Sequence, residues 1–325
     1  METTTLFLVA AAVITILVMV YSTALFFAHS PRLPTPSELK YRTNDANNQH
    51  YDLPTRIDPA AEYVDHGVKL TVVVPCYNET KRLGNMFEEC VEYFKTHDLT
   101  YEILIIDDES KDGTPDYALS LARKYELKPH TVKVVELTKN RGKGGAVTHG
   151  MLHASGEYVL FADADGATKF GDSEHLLEYL KAHTNPYGSI AIGSRAHMVN
   201  TEAVVKRSFI RNLLMYGLHT LVYVFGIHGV KDTQCGFKMF DFNSIKRIFP
   251  HMHTERWIFD VEILLLASYQ GIDMKELPVN WQEIDGSKID LVKDSINMAI
   301  DLVVTRVSYI LGIYKLNMNG HSKTI

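Results

Sequence analysis

Cysteine is scarce in this chain. Cys76, Cys90 and Cys235 are the only three in 325 residues, and they form no C-x-x-C pair. That excludes a disulfide framework and a structural zinc cluster, and it fits a reducing compartment. A basic excess is missing too: 33 Lys and Arg stand against 39 Asp and Glu, a net charge of −6, which argues against a nucleic-acid partner. There is no Walker pattern G-x-x-x-x-G-K-[ST], no internal repeat and no low-complexity tract. Lys and Arg are absent from residues 1–5, and the apolar run behind them is longer than the ~7–15 residues of a signal-peptide core.

What the chain does have begins with that run. Leu6 to Ala28 is uncharged and 23 residues long, enough as a helix at ~1.5 Å per residue to cross a ~30 Å hydrocarbon core. The length predicts an uncleaved anchor over 6–28. Arg32, Lys40 and Arg42 follow it and no cation precedes it, so the expected topology is single-pass, with residues 1–5 lumenal and the bulk of the chain cytosolic. Residues 29–67 are polar and carry Pro31, Pro34, Pro36, Pro54 and Pro59, which reads as a connector holding the globular part off the bilayer. Asn78-Glu79-Thr80 matches a glycosylation sequon but would be cytosolic and unused.

From Lys69 the pattern changes. Short apolar runs at 70–75, 101–107, 132–137, 158–163 and 190–193 alternate with helix-like stretches near 81–97, 114–127, 143–154 and 172–183. Such alternation predicts an α/β fold with a mostly parallel, doubly wound sheet whose ligands gather at the carboxyl ends of the strands. Beyond residue 200 the alternation is lost. The apolar stretches 209–227 and 296–314 carry internal charges, Arg211 with His219 and Asp301 with Arg306. They are expected to be amphipathic helices at the membrane interface, or buried helices, rather than further spans.

Four polar motifs follow the strands. Asp163-Ala164-Asp165 closes the run Glu157–Ala162. Residues two apart in extended chain face the same way, so both carboxylates can reach one hard cation, or a cation and a sugar hydroxyl, with a diphosphate beyond. Pro75 ends the first strand, and after it Tyr77 can lie against a flat base while Glu79 accepts hydrogen bonds from hydroxyls or a ring N–H. Asp107 and Asp108 close the second strand and one or the other is expected to read the base, whereas capping alone could explain Asp112 and Thr114. Arg141-Gly142-Lys143-Gly144-Gly145, glycine-rich and basic just before a helix, suits a phosphate.

In this order the motifs V-V-V-P-C-Y-N-E, D-D-E-S-x-D-G-T, R-G-K-G and D-A-D resemble those of the glycosyltransferase family 2 enzymes with the GT-A fold, over roughly residues 68–290. Gly193-Ser194-Arg195, Arg207 to Arg211, Asp232-Thr233-Gln234-Cys235-Gly236 and the Trp281 to Lys288 segment narrow the resemblance to the polyprenyl-phosphate hexose synthases. Among these, D-A-D-G-A-T, the single anchor and W-x-E-I-D-G-S-K are most similar to the dolichyl-phosphate glucosyltransferases of the endoplasmic reticulum membrane.

The resemblance implies inverting transfer of glucose from UDP-glucose to dolichyl phosphate, for N-glycan precursor assembly, with Mg2+ or Mn2+ as cofactor. On that basis residues 68–200 bind the nucleotide sugar, through Pro75, Tyr77, Glu79, Asp107, Asp108, Arg141, Lys143, Asp163 and Ala164. Residues 201–325 serve the acceptor and the membrane. Asp163 and Asp165 hold the metal, and Arg195, Arg207, Arg211 and Gln234 meet the acceptor phosphate. Asp163, Asp165, Arg195 and Arg211 are the catalytic set. Ala167 stands where the related mannose synthases carry a metal-assisting Gln, which implies a site poorer in protein ligands. His253-Thr254-Glu255-Arg256-Trp257 lacks the Gln of Q-x-x-R-W, which implies no processive polymerisation. No single residue separates glucose from mannose or N-acetylglucosamine as the transferred sugar.

Overall fold

A computed structural model describes residues 2–47, 49–198, 229–286 and 291–315. The N-terminal helix α1 (Glu2–Phe27) is long and apolar enough to cross a membrane, and its apolar side chains are largely bare of protein cover. Among the described residues the globular part is built on a nine-stranded sheet in the order β2 (His50–Asp52), β1 (Lys40–Arg42), β5 (Val132–Glu136), β4 (Tyr101–Asp107), β3 (Leu70–Cys76), β6 (Tyr158–Ala162), β8 (Phe237–Asp241), β7 (Ser189–Ser194), β9 (Asp273–Pro278). Its central strands are β3 (Leu70–Cys76), β4 (Tyr101–Asp107), β5 (Val132–Glu136) and β6 (Tyr158–Ala162). All four run parallel, so their carboxyl ends share one edge.

Helices α2 (Leu83–Thr96), α3 (Thr114–Lys124), α4 (Lys143–Leu152) and α5 (Ser173–Ala182) fall in the stretches between strands, as the periodicity predicts. Strand β8 (Phe237–Asp241) runs antiparallel between β6 and β7 (Ser189–Ser194), and β9 (Asp273–Pro278) pairs parallel with β7. This is the mixed, mostly parallel sheet of a GT-A-like α/β fold.

The sheet is covered on both faces, which is why its strands read as continuous apolar runs instead of alternating ones. Val72 and Val74 pack with α2 and α3, while Val73 points the other way to α4 and the helix Phe259–Tyr269. Each fully buried Val, Leu or Ile contributes roughly 1.5–3 kcal/mol. The central strands supply more than a dozen of them, so the strand ends rest on a stiff base.

The segment expected to be a connector carries structure of its own. Lys40–Arg42 and His50–Asp52 form β1 and β2, which extend the sheet beyond β5. The buried Glu38 carboxylate accepts hydrogen bonds from Arg32 and from the Thr138 backbone and hydroxyl, at 2.7 and 2.8 Å for the threonine. These contacts bind the segment to the domain.

The helix Leu291–Ile310 has one covered and one bare apolar face. Met298, Leu302, Thr305 and Tyr309 are buried, while Val292, Ile296, Ile300, Val303 and Ile310 are 39–54% exposed along the other face. It packs on the end of α1: the His29 N–H donates to Tyr314 Oη at 2.6 Å, and His29 lies 3.3 Å from Asp301. The other apolar stretch, 209–227, lies outside the described residues.

Candidate active site

The polar motifs converge at the carboxyl edge of β3 to β6. The loops after β3 and β4 are laced together: the Asn78 N–H donates to Ser110 Oγ at 2.8 Å, the Lys111 N–H to Asn78 Oδ1 at 2.7 Å, and the Glu79 N–H to Thr114 Oγ1 at 2.8 Å. Tyr77 stands 41% exposed at the rim, where a planar base can lie on it. Asp107 accepts from the Ser110 N–H through Oδ2 at 3.0 Å, while its Oδ1 is buried without a hydrogen-bond partner. Burial raises its pKa. A buried orphan acceptor at a strand end is the kind of group that a nucleobase N–H can satisfy.

Of the two acids, Asp108 is the one turned to the glycine-rich loop. Its two oxygens accept the N–H groups of Arg141, at 2.6 Å, and Gly142, at 2.8 Å, and burial pushes its pKa up to about 6. Both acceptor oxygens are used to fold the glycine-rich loop, so the carboxylate shapes the phosphate-type turn and does not stand open to a base. Asp112, one residue before the Gly113 N-cap of α3, accepts the Thr114 N–H at 3.1 Å and the Thr80 hydroxyl at 2.8 Å.

Gly142 has φ +84°, and a β-carbon there would sit 2.6 Å from the Glu255 carbonyl oxygen; glycine is required on both counts. Arg141 is buried and ion-paired with Glu255, with Nε donating at 2.6 Å. Lys143 turns to the other side of the loop and places Nζ 2.6 Å from Asp163 Oδ1.

Asp163 and Asp165 flank the end of β6 with Ala164 buried between them. Gly236 presses on Asp163: its carbonyl accepts the Asp163 N–H at 3.0 Å, and a β-carbon at 236 would lie 2.0 Å from Oδ2. Asp165 accepts the Ala167 N–H at 3.0 Å and lies 3.7 Å from Arg82, which also forms a two-pronged bond to Glu79 at 2.8 and 2.5 Å. Burial, and then the charge of Asp163, raise the Asp165 pKa. Two carboxylates in each other's field, with hard oxygen donors, fit a divalent cation of the Mg2+ or Mn2+ type. Among the described residues no group of three or more His, Cys, Asp or Glu is poised around a metal, so a cation here would draw its other ligands from diphosphate or water.

Arg195 follows β7 and grips Asp232 through Nε and Nη2, both at 2.7 Å, with its guanidinium 5.4 Å from the Trp281 ring. Gln234 is half-buried in the turn before β8. Arg207 and Arg211 lie outside the described residues. Asp260 and Glu262 are structural: Asp260 takes a buried ion pair from Lys238 at 2.5 Å, and Glu262 accepts from the Thr254 N–H at 2.7 Å and Tyr309 Oη at 2.9 Å.

Sequence reasoning missed Arg82, which ties Glu79 to Asp165, and Asp232, which answers Arg195. The i,i+3 spacing of Glu79 and Arg82 was a usable signal for the first.

Comparison with known proteins bears on the family and the fold. Residues 71–249 match the family described as Glycosyl transferase family 2. The chain is 47% identical over 320 residues to a dolichyl-phosphate beta-glucosyltransferase of Saccharomyces cerevisiae, covering 95% of this chain and 94% of that one. It is 41% identical to the Homo sapiens protein of the same name, again over 95% and 94%. Among solved structures, mannosyl-3-phosphoglycerate synthase from Rubrobacter xylanophilus superposes with a TM-score of 0.51 at 18% identity, over 79% of each chain.

Proposed function

The chain belongs to glycosyl transferase family 2, within its dolichyl-phosphate β-glucosyltransferases, and from that premise we propose that it transfers glucose from UDP-glucose to dolichyl phosphate with inversion, giving dolichyl β-D-glucosyl phosphate for N-glycan precursor assembly. That it is a glycosyltransferase follows from the family. The observation that carries the finer reading is the meeting of Asp163, Asp165 and Lys143 on the strand edge that also presents Tyr77 and the unpartnered oxygen of Asp107.

In this reading the uracil stacks on Tyr77 and donates its ring N–H to Asp107, with Glu79 toward the ribose and Pro75 and Ala164 as close backbone contacts. A divalent cation held by Asp163 and Asp165 would supply positive charge to the diphosphate. Lys143 adds a cation on the same side, from a loop held in shape by Asp108 and the Arg141–Glu255 pair. The acceptor is a phosphate monoester with a second pKa near ~6, largely dianionic at neutral pH, so it attacks without a protein base. The protein's work is to bring two anions together and to stabilise charge growing on the leaving group. Arg195, Arg207, Arg211 and Gln234 take the acceptor phosphate, with Arg195 sharing its fork between Asp232 and the substrate.

The helix α1 anchors the enzyme in the endoplasmic reticulum membrane. Arg32, Lys40 and Arg42 keep the catalytic part, residues 68–200 for the donor and 201–325 for the acceptor, on the cytosolic side. The exposed apolar face of Leu291–Ile310 lies in the interface beside it. Calorimetric titration of UDP with and without Mn2+ tests the donor half: metal-enhanced UDP binding is expected, and absence of UDP binding in either condition overturns it.

A further inference from the structure

A groove at the foot of α1 lies on the far side of the glycine-rich loop and holds no ligand in the reading above. It encloses about 540 Å³. Its walls come from His29, Ser30 and Arg32 just past the span, from residues 139–142 of the glycine-rich loop, and from residues 253–256, with Asp301 closing one side.

Its charges do not balance. Glu255 is paired with Arg141, and Asp301 lies 3.3 Å from His29, which offsets its charge only when protonated. Arg32 binds Glu38 through its terminal nitrogens, but its Nε N–H is buried without an acceptor. Lys139 and Arg256 are exposed, and among the described residues neither side chain meets a carboxylate within ion-pair distance. Two cations with no carboxylate partner among the described residues, Lys139 and Arg256, therefore face one space.

The groove also has a level. His29 and Ser30 follow Phe27, the last residue of α1, by two and three positions. With α1 across a bilayer they sit where lipid phosphates sit, and the groove opens there.

We infer that this groove binds a phosphate monoester carried on a lipid chain, with Lys139 and Arg256 supplying charge. A monoester brings nearly two negative charges and several acceptor oxygens, and the volume leaves room for the first carbons of its chain. The groove shares a loop with the candidate active site: Gly142 lines it while the next residue, Lys143, reaches Asp163. A lipid phosphate held here waits one loop away from the donor edge, on the opposite side from Arg195. The inference rests on the proposed function only where the lipid is taken to be the prenyl acceptor; phosphatidic acid offers the same chemistry.

The test is calorimetry on the full chain in detergent, titrated with citronellyl phosphate, dihexanoyl phosphatidic acid, dihexanoyl phosphatidylcholine and inorganic phosphate. The Lys139→Gln/Arg256→Gln double variant should weaken binding of a lipid monoester by about tenfold or more, with an unchanged melting temperature. Loss for citronellyl phosphate alone assigns the site to the prenyl acceptor, and equal loss for phosphatidic acid assigns it to lipid monoesters in general. Unchanged affinity in the double variant, equal binding of the phosphocholine lipid, or inorganic phosphate binding as tightly as the lipid forms would overturn the inference. If glucose transfer fails while the variant still loses lipid phosphate, the proposed function falls and the groove assignment stands.

Discussion

An alanine at position 236 would carry its β-carbon 2.0 Å from Asp163 Oδ2, 2.3 Å from Cγ and 2.6 Å from Oδ1. Ordinary contact begins near 3.4 Å, so the carboxylate must retreat by roughly 1.4 Å or swing aside. The backbone has little freedom to share that movement. The Asp163 N–H is bonded to the Gly236 carbonyl at 3.0 Å, and the residues before and after them, Ala162 and Phe237, are paired in the β6–β8 ladder.

The side chain therefore gives way, and Asp163 leaves the position it shares with Lys143 and Asp165. A shift of ~1 Å in a positioning group can cost about 10²-fold in rate, so Gly236→Ala is expected to lower kcat/KM for glucosyl transfer about 100-fold. Crowding of this kind destabilises by about 1–3 kcal/mol, which a melting curve would register as a fall of a few degrees. Gly171→Ala is the control, because a β-carbon there meets nothing within 4 Å and activity should not change. A folded Gly236→Ala enzyme with kcat/KM within threefold of wild type would refute the placement of Asp163 at the reacting centre.

Other expectations follow from the same geometry. Asp165→Ala should lose at least about 10²-fold in turnover with little change in melting temperature, because the side chain is on the strand edge and not in the core; full activity would remove Asp165 from the metal site. Burial lifts the Asp108 carboxyl from its ordinary value of 3.8 to about 6. The folded chain thus holds a proton that the unfolded chain has released, and stability falls as pH rises through about 4 to 6. Asp108→Asn, which cannot titrate, should show a flatter melting profile across that window, and parallel profiles would refute the assignment. A chain lacking residues 1–27 should still bind liposomes through the exposed face of Leu291–Ile310, and Ile296→Glu/Ile300→Glu should lower the bound fraction; an unchanged fraction would place that face elsewhere.

The central strands and their helices were legible because both faces of β3, β4, β5 and β6 are covered, which leaves unbroken apolar runs between turn residues. The D-x-D pair and the glycine-rich loop were legible because their chemistry is local: each needs adjacent residues and a strand end. What escaped were partnerships across the sheet. Arg195 is answered by Asp232, 37 residues on, and Lys238 by Asp260, 22 residues on; nothing in the spacing pairs them.

Asp108 looked like a reader of the base because it follows a buried strand, yet its oxygens close on N–H groups 33 and 34 residues away. The strands β1 and β2 were missed for a related reason. At three residues each they show no periodicity, and β1 is recognisable only by its pairing with β5 and β2 by its pairing with β1.

The most direct test is transfer of labelled sugar to dolichyl phosphate by the detergent-solubilised chain, with UDP-glucose and GDP-mannose side by side and with or without EDTA. The account predicts chelator-sensitive label from UDP-glucose alone, in a β-linked glucosyl phosphate. Label from GDP-mannose, or none from UDP-glucose in the presence of metal, would contradict it.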